Sequence, residues 1–199
     1  MIILAITGGI GCGKTTVLNW FKSKSIPTIS ADKISHDLVA KGQDGLQTIV
    51  DYFGDKILSD DGELDRAYLR NLVFSNPSAK QTLENIMHPL IQAETKRLLA
   101  DKNRQGHALS VVEIPLLAET GKPDYIDIVW VIDCSQETQV KRVKERDNLA
   151  ESEILAIINS QASAKDRAKI ADTIIKSDGH KLKFYRQLEH KLAILLKEK

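Results

Sequence analysis

Gly8-Gly9-Ile10-Gly11-Cys12-Gly13-Lys14-Thr15 matches the pattern G-x-x-x-x-G-K-[ST]. Glycines at these positions let successive backbone N–H groups curl around an anion with no Cβ in the way. A helix beginning at the lysine turns its positive end toward the same anion. Lys14 is long enough to reach the β- and γ-phosphates of a nucleotide, and the Thr15 hydroxyl is of the type that ligates Mg²⁺. Gly9, Gly11, Cys12, Gly13, Lys14, Thr15 and Thr16 are therefore the candidate nucleotide-binding residues, with ATP and Mg²⁺ as expected ligands and Thr15 as the metal ligand.

The flanks decide whether the pattern is a phosphate loop or only a glycine-rich turn. Ahead of it, Ile2 to Thr7 is a continuous apolar run, which predicts a strand buried on both faces. Behind it, Lys14 to Ser25 carries Val17, Leu18 and Phe21 on one side and predicts a helix. Pro27 to Ser30 predicts a second strand, Leu109 to Ile114 a third, Asp127 to Asp133 a fourth and Thr173 to Ile175 a fifth. Between and after them the chain reads as helices. Leu46, Ile49, Val50 and Phe53 recur at helical spacing, with Gly54 placed to end that helix. Asp65 is positioned to cap a helix through Leu69, Leu72 and Val73, and Asn76-Pro77 to start another. His88-Pro89 predicts a kink or junction in that long stripe. Ser135 starts a helix bearing Arg142 and Arg146, and Asn148 with Glu151 has the spacing of a capping box. Leu182, Tyr185, Leu188, Leu192 and Leu195 form the stripe of a last helix, after the Asp178-Gly179 turn. Strands alternating with helices predict an α/β parallel sheet covered on both faces. The all-helical stretch at about 59–102 is the expected substrate-binding insertion in a core of about 1–58 and 103–199.

Composition narrows the class. The 199 residues carry 28 basic and 27 acidic side chains, a net charge of +1, so a dedicated nucleic-acid binder is disfavoured. Cys12 and Cys134, far apart in sequence, offer neither a disulfide framework nor metal spacing and are expected as reduced thiols, which points to the cytoplasm. The apolar start breaks at Thr7 with no basic residue ahead of it, so neither a signal peptide nor a membrane span is predicted.

Three features favour phosphoryl transfer to a bound hydroxyl over a switch or a motor. Asp32 follows the second strand, about where open α/β sheets bind ligands, and its carboxylate is placed either to orient and deprotonate an acceptor or simply to cap a helix. Arg142 and Arg146 lie one turn apart on one helix face; they either neutralise charge on the transferred group or form a solvated face. The chain has none of the long extensions a motor needs. No N-K-x-D guanine motif occurs. Another small P-loop kinase, acting on a nucleotide or a metabolite, and a regulatory nucleotide-binding protein remain as alternatives.

The residues resemble the dephospho-CoA kinase family over nearly the whole chain. Leu4 to Val17 is similar to its opening, where Ser is commoner at the Cys12 position. Ala31-Asp32 resembles its D-A-D signature with Ser30 in place of the first Asp. Met87-His88-Pro89-Leu90-Ile91 resembles its H-P-x-I, and Ile114 to Glu119 its V-P-L-L-x-E. Gln139, Arg142 and Arg146 match its Q-x-x-R-x-x-x-R lid helix. Gln161 and Ala171 to Ile175 match its closing signature, in which Ser177-Asp178-Gly179 replaces the commoner Asn-x-Gly. The resemblance implies a fold similar to the nucleoside monophosphate kinases: a P-loop three-layer sandwich with a five-stranded parallel sheet, a helical CoA-binding insertion and a helical lid at about 138–165. It implies transfer from ATP to the ribose 3′-hydroxyl of dephospho-CoA, with Asp32, Lys14 and Arg142 catalytic, and Arg146 closing on the nucleotide. Asp32, His88, Pro115, Leu116, Glu119 and Gln161 are the substrate-binding residues it implies. ATP and dephospho-CoA are the expected partners, with no nucleic acid, no membrane and no obligate protein partner. A histidine ahead of a proline has a second reading, as a packed junction residue; Trp20 and Trp130 fall on core-like positions.

Overall fold

The computed structural model describes residues 1–197. Five strands form one sheet: β1 (Ile2–Gly8), β2 (Thr28–Ser30), β3 (Leu109–Glu113), β4 (Ile128–Asp133) and β5 (Thr173–Lys176), in the order β2-β3-β1-β4-β5. The helices, in chain order, are α1 (Lys14–Ser23), α2 (Ala31–Leu38), α3 (Asp44–Phe53), α4 (Arg66–Ser75), α5 (Pro77–Arg104), α6 (Leu117–Thr120), α7 (Gln136–Asp147), α8 (Glu151–Ser160), α9 (Ala164–Lys169) and α10 (Lys181–Lys197).

The sheet is parallel, with β1 at its centre. Leu4 stands opposite Val111 of β3 on one side and Ile128 of β4 on the other, and Val131 of β4 faces Ile174 of β5. Ile2, Leu4 and Ile6 enter one core, while Ala5 and Thr7, pointing the opposite way, have no exposed surface. A strand buried on both faces cannot alternate polar with apolar, which is why the run at the start of the chain is continuously apolar. Val17, Leu18 and Phe21 of α1 share that first core with Trp130 and with Phe184, Leu188, Leu192 and Leu195 of α10. The Phe21 and Trp130 rings lie 5.9 Å apart. Trp20 packs, partly buried, at the edge of this core.

The chain packs as two compact units, one built from residues 1–29 and 105 onward, the other from 30–104. The second unit has its own core of Val39, Ile49, Ile57, Leu69 and Met87, in which α2, α3 and α4 all pack on α5. The stretch expected as an insertion, about 59–102, lies inside this unit. The unit starts earlier because α2 and α3 also bury their apolar stripes against α5.

Caps explain several boundaries. The Asp65 carboxylate accepts from the Tyr68 amide at 2.9 Å and starts α4. Asn76 Oδ1 accepts from the Ser78 and Ala79 amides and starts α5 at Pro77. Three expectations need correction. Asp32 does not cap α2, which begins one residue before it with no side-chain cap; Asp32 sits in the first turn, where its charge suits the helix dipole. Asn148 does not start α8. It ends α7 in the left-handed conformation that asparagine tolerates, and the Ala150 amide donates instead to the Glu153 carboxylate at 2.9 Å. Of the kink or junction expected at His88-Pro89, the junction is absent: α5 runs unbroken through Pro89 for 28 residues. The ring costs this helix one backbone hydrogen bond, and Leu83, Ile86, Leu90 and Ile91 hold both sides of it to the same core.

Candidate active site

The loop Gly8–Gly13 leaves the central strand and enters α1, the strand–loop–helix order that a phosphate cradle requires. Gly13, just ahead of the helix, has φ of +96°, a backbone state that L side chains rarely adopt. Lys14 folds back over the loop, donating to the Gly8 carbonyl at 2.8 Å and the Gly9 carbonyl at 3.1 Å. Thr15 is exposed in the first turn of α1.

The loop is held from outside. Gln139, buried on α7, donates to the Ile10 carbonyl at 2.7 Å, and Gln161 accepts from the Ile10 amide at 2.9 Å. Arg142 donates to the Gly11 carbonyl at 3.2 Å, to the Ser177 hydroxyl at 3.0 Å and to the Ser177 carbonyl at 2.6 Å. The Ser177 hydroxyl in turn donates to the Cys12 carbonyl at 2.7 Å. Tying three successive carbonyls, Ile10 to Cys12, fixes the peptide planes and so fixes where their amides point. Ser177, standing where the resembling family more often has asparagine, does this with its hydroxyl. Its neighbour Asp178 accepts from the Ser135 amide and from the Ser135 and Thr138 hydroxyls. Although desolvation opposes it, those donors hold the Asp178 carboxyl below the usual carboxylate range.

Beside the first turn of α1 a recess of about 240 Å³ is lined by Gly13, Thr16, Arg142, Ser177, Lys181 and Phe184. Thus Thr16 and Arg142 meet at one cavity. Arg146 is not brought to it: its guanidinium is exposed and chelated by Asp147 at 2.6 and 2.7 Å. Pro115 accepts from the Thr7 hydroxyl at 3.2 Å through its carbonyl, and Leu116 beside it is 46% exposed. The Glu119 carboxylate accepts from the Ala162 amide at 2.7 Å and so anchors the chain just after Gln161.

Asp32 and His88 belong to the other unit, where both are exposed, Asp32 on α2 and His88 on α5. That unit has a recess of about 280 Å³, with Val39, Ile49, Leu69 and Met87 giving it an apolar lining and Arg66 and Arg70 a basic one.

Two groups at the loop had no signal in the sequence. The first is a thiol pair: Cys134 Sγ lies 3.1 Å from Cys12 Sγ, both buried and both free. The Cys134 thiol donates its proton to Cys12, which with the Lys14 charge holds Cys12 below the usual thiol range against its burial. The same bond and burial push Cys134 well above it. The second is Arg167 on α9, 7% exposed, whose Nη2 stands against Gly9: a methyl group on Gly9 would lie 3.2 Å from it and 2.5 Å from Gln139 Nε2. No periodicity separates Arg167 from its exposed neighbours Lys165 and Lys169.

A sequence model described as dephospho-CoA kinase matches residues 2–183. A dephospho-CoA kinase of Hydrogenovibrio crunogenus is 47% identical over 178 residues, 89% of this chain and 90% of that protein. A dephospho-CoA kinase of Campylobacter jejuni superposes with a TM-score of 0.74 at 31% identity, covering 98% of both chains. The protein TT1252 of Thermus thermophilus gives a TM-score of 0.80 at 30% identity, covering 98% of this chain and 97% of that one.

Proposed function

Because the chain belongs to the dephospho-CoA kinase family, we propose that it transfers the γ-phosphoryl of ATP to the ribose 3′-hydroxyl of dephospho-CoA, giving CoA and ADP. The chain is an ATP-dependent kinase with the P-loop kinase fold. The observation that carries the reading is the clamped loop: Gln139 and Arg142 of one sequence motif and Gln161 of another all hydrogen-bond the Ile10–Gly11 backbone.

In the proposed mechanism the loop amides and the α1 N-terminus hold the phosphates, and Lys14 exchanges its loop carbonyls for phosphate oxygens. Thr15, exposed in the first turn of α1, would hold a Mg²⁺ ion through its hydroxyl, a fit that one protein donor allows because this cation keeps several waters. When bound, the ion neutralises charge on the phosphates. The recess at Thr16, Arg142 and Lys181 takes the nucleoside end of ATP. Arg142 acts there, its guanidinium already committed to Gly11 and Ser177. The unit at 30–104 binds dephospho-CoA, with the apolar recess suited to the pantetheine arm and Arg66 and Arg70 to its diphosphate. Asp32 orients and deprotonates the acceptor hydroxyl. His88, Pro115, Leu116 and Glu119 support the substrate side, and the segment at about 138–165 is the lid, on which Arg146 leaves Asp147 to meet the nucleotide. Among the described residues no helix is long and apolar enough to cross a membrane; a cytoplasmic location is proposed on the thiols and the reaction class.

The test is ADP release with ATP and Mg²⁺, with and without dephospho-CoA, with AMP, shikimate and pantothenate as parallel acceptors. Stimulation by dephospho-CoA with CoA formed is expected. Turnover on another acceptor alone would overturn the substrate. In the same assay Asp32→Asn is expected to keep ATP affinity and lose transfer by about 10²-fold or more; near-normal transfer would remove Asp32 from the mechanism.

A further inference from the structure

We infer that Arg167 is the arginine that contacts the transferring phosphoryl group, a role the sequence pattern gave to Arg142 and Arg146. The inference rests on the proposed kinase reading for the identity of that group, and on geometry for the rest.

The three arginines differ in what already holds them. Arg142 spends its donors on the Gly11 and Ser177 carbonyls and the Ser177 hydroxyl. Arg146 is exposed and carries its own carboxylate in Asp147. Arg167 is more than nine-tenths buried, yet among the described residues its side chain makes one hydrogen bond, from Nη1 to the Ala162 carbonyl. Its Nε is buried with no hydrogen-bond partner, and no carboxylate lies within ion-pair distance of it among the described residues. A buried guanidinium without an anion is costly, because its lost hydration is not replaced. A side chain kept in that condition is completed by an anion that arrives from outside.

The loop indicates which anion. Nη2 of Arg167 stands against Gly9, and Gly9 and Gly8 are the residues on whose carbonyls the Lys14 ammonium rests. Lys14 is the group that reaches the β- and γ-phosphates. Arg167 therefore flanks the end of the cradle where the terminal phosphate lies, and its planar fork suits two oxygens of a phosphoryl group that gains charge as the bond breaks. Gly9 keeps the approach open, since any side chain there meets Arg167 and Gln139.

Arg167→Met and Arg167→Lys test this through three readouts: melting of the ligand-free protein, calorimetric binding of ATP and of adenosine, and transfer to dephospho-CoA. For Arg167→Met the ligand-free melting temperature is expected to hold or rise, because an uncompensated buried charge has been removed. ATP affinity is expected to fall about tenfold or more while adenosine affinity stays within twofold, and transfer to fall by about 10³-fold. Arg167→Lys, a point charge without the fork, is expected to recover part of the ATP affinity and little of the rate. A lower melting temperature with ATP affinity intact would make Arg167 a structural residue and overturn the inference, as would transfer within threefold of the parent. The binding arm needs no acceptor. If the parent does not phosphorylate dephospho-CoA but Arg167→Met still loses ATP and not adenosine, the substrate reading fails and the Arg167 assignment stands.

Discussion

At the scale of single residues, the phosphate loop is a place where side chains act mostly through the backbone. Gln139, Arg142, Gln161 and Ser177 each hold a loop carbonyl or amide. Cys12 contributes its own carbonyl to this scheme and turns its sulfur to Cys134. The pairing makes the two thiols unequal, since the bond and the Lys14 charge lower the pKa of one and the bond raises that of the other. Cys12 should therefore reach its full thiolate fraction at a lower pH than a free thiol does, and Cys134 at a higher one. Iodoacetamide labelling from pH 6 to 9, read by peptide mass spectrometry, is expected to be slow at both buried thiols, with the Cys12 rate rising at a lower pH than that of a free thiol. The Cys134 rate is expected to rise at a higher pH than that of a free thiol. A Cys134 rate that rises at a lower pH than the Cys12 rate would contradict the direction of the shared proton.

At the scale of elements, much of the chain was readable because local chemistry set the boundaries. The stripe Leu46, Ile49, Val50, Phe53 gives α3, and Asp65 and Asn76 start α4 and α5 as their types predict. Asp65→Ala is expected to cost about 1 kcal/mol of local stability in the first turn of α4. Hydrogen exchange of the Tyr68 amide should report this as roughly fivefold faster opening, and unchanged protection would show that the cap carries no weight. The misreadings came where two local rules competed. Asn148 satisfies the spacing of a helix start and the conformation of a helix end, and the end wins because Ala150 and Glu153 make the start without it. Pro89 breaks helices in isolation, yet in α5 the packing on either side outweighs one lost bond. The glutamine and arginine motifs of the site were visible in sequence, as was the loop. Arg167 was not, because its meaning lies in a neighbour more than 150 positions away, Gly9, and no periodicity carries that.

At the scale of the molecule, the division into two units is in part a division of proposed roles. The residues that hold the nucleotide loop lie in the first unit; of those proposed for the acceptor side, Asp32 and His88 lie in the second and Pro115, Leu116 and Glu119 in the first. The second is one continuous stretch with a core of its own, so residues 30–104 made alone are expected to show a helical circular dichroism spectrum and a single cooperative melt. A core of this size supplies only about 3–5 kcal/mol, so the melt should come at modest temperature. A featureless melting curve would mean that this core forms only in the intact chain.

The central position of β1 sets a timetable for the ribosome. β1 leaves the exit tunnel more than 100 residues ahead of either strand it pairs with, since Ile2 pairs with Leu109 and Leu4 with Ile128. At about 5–20 residues per second the nascent Ile2–Ile6 segment waits on the order of ten seconds with both edges and both apolar faces unmatched. During that wait the helical stretch from 30 to 104 is completed and can condense from contacts close in sequence. The central strand of the finished enzyme is thus the most vulnerable segment of the unfinished one, and it is there that a chaperone holding nascent chains would find its handle.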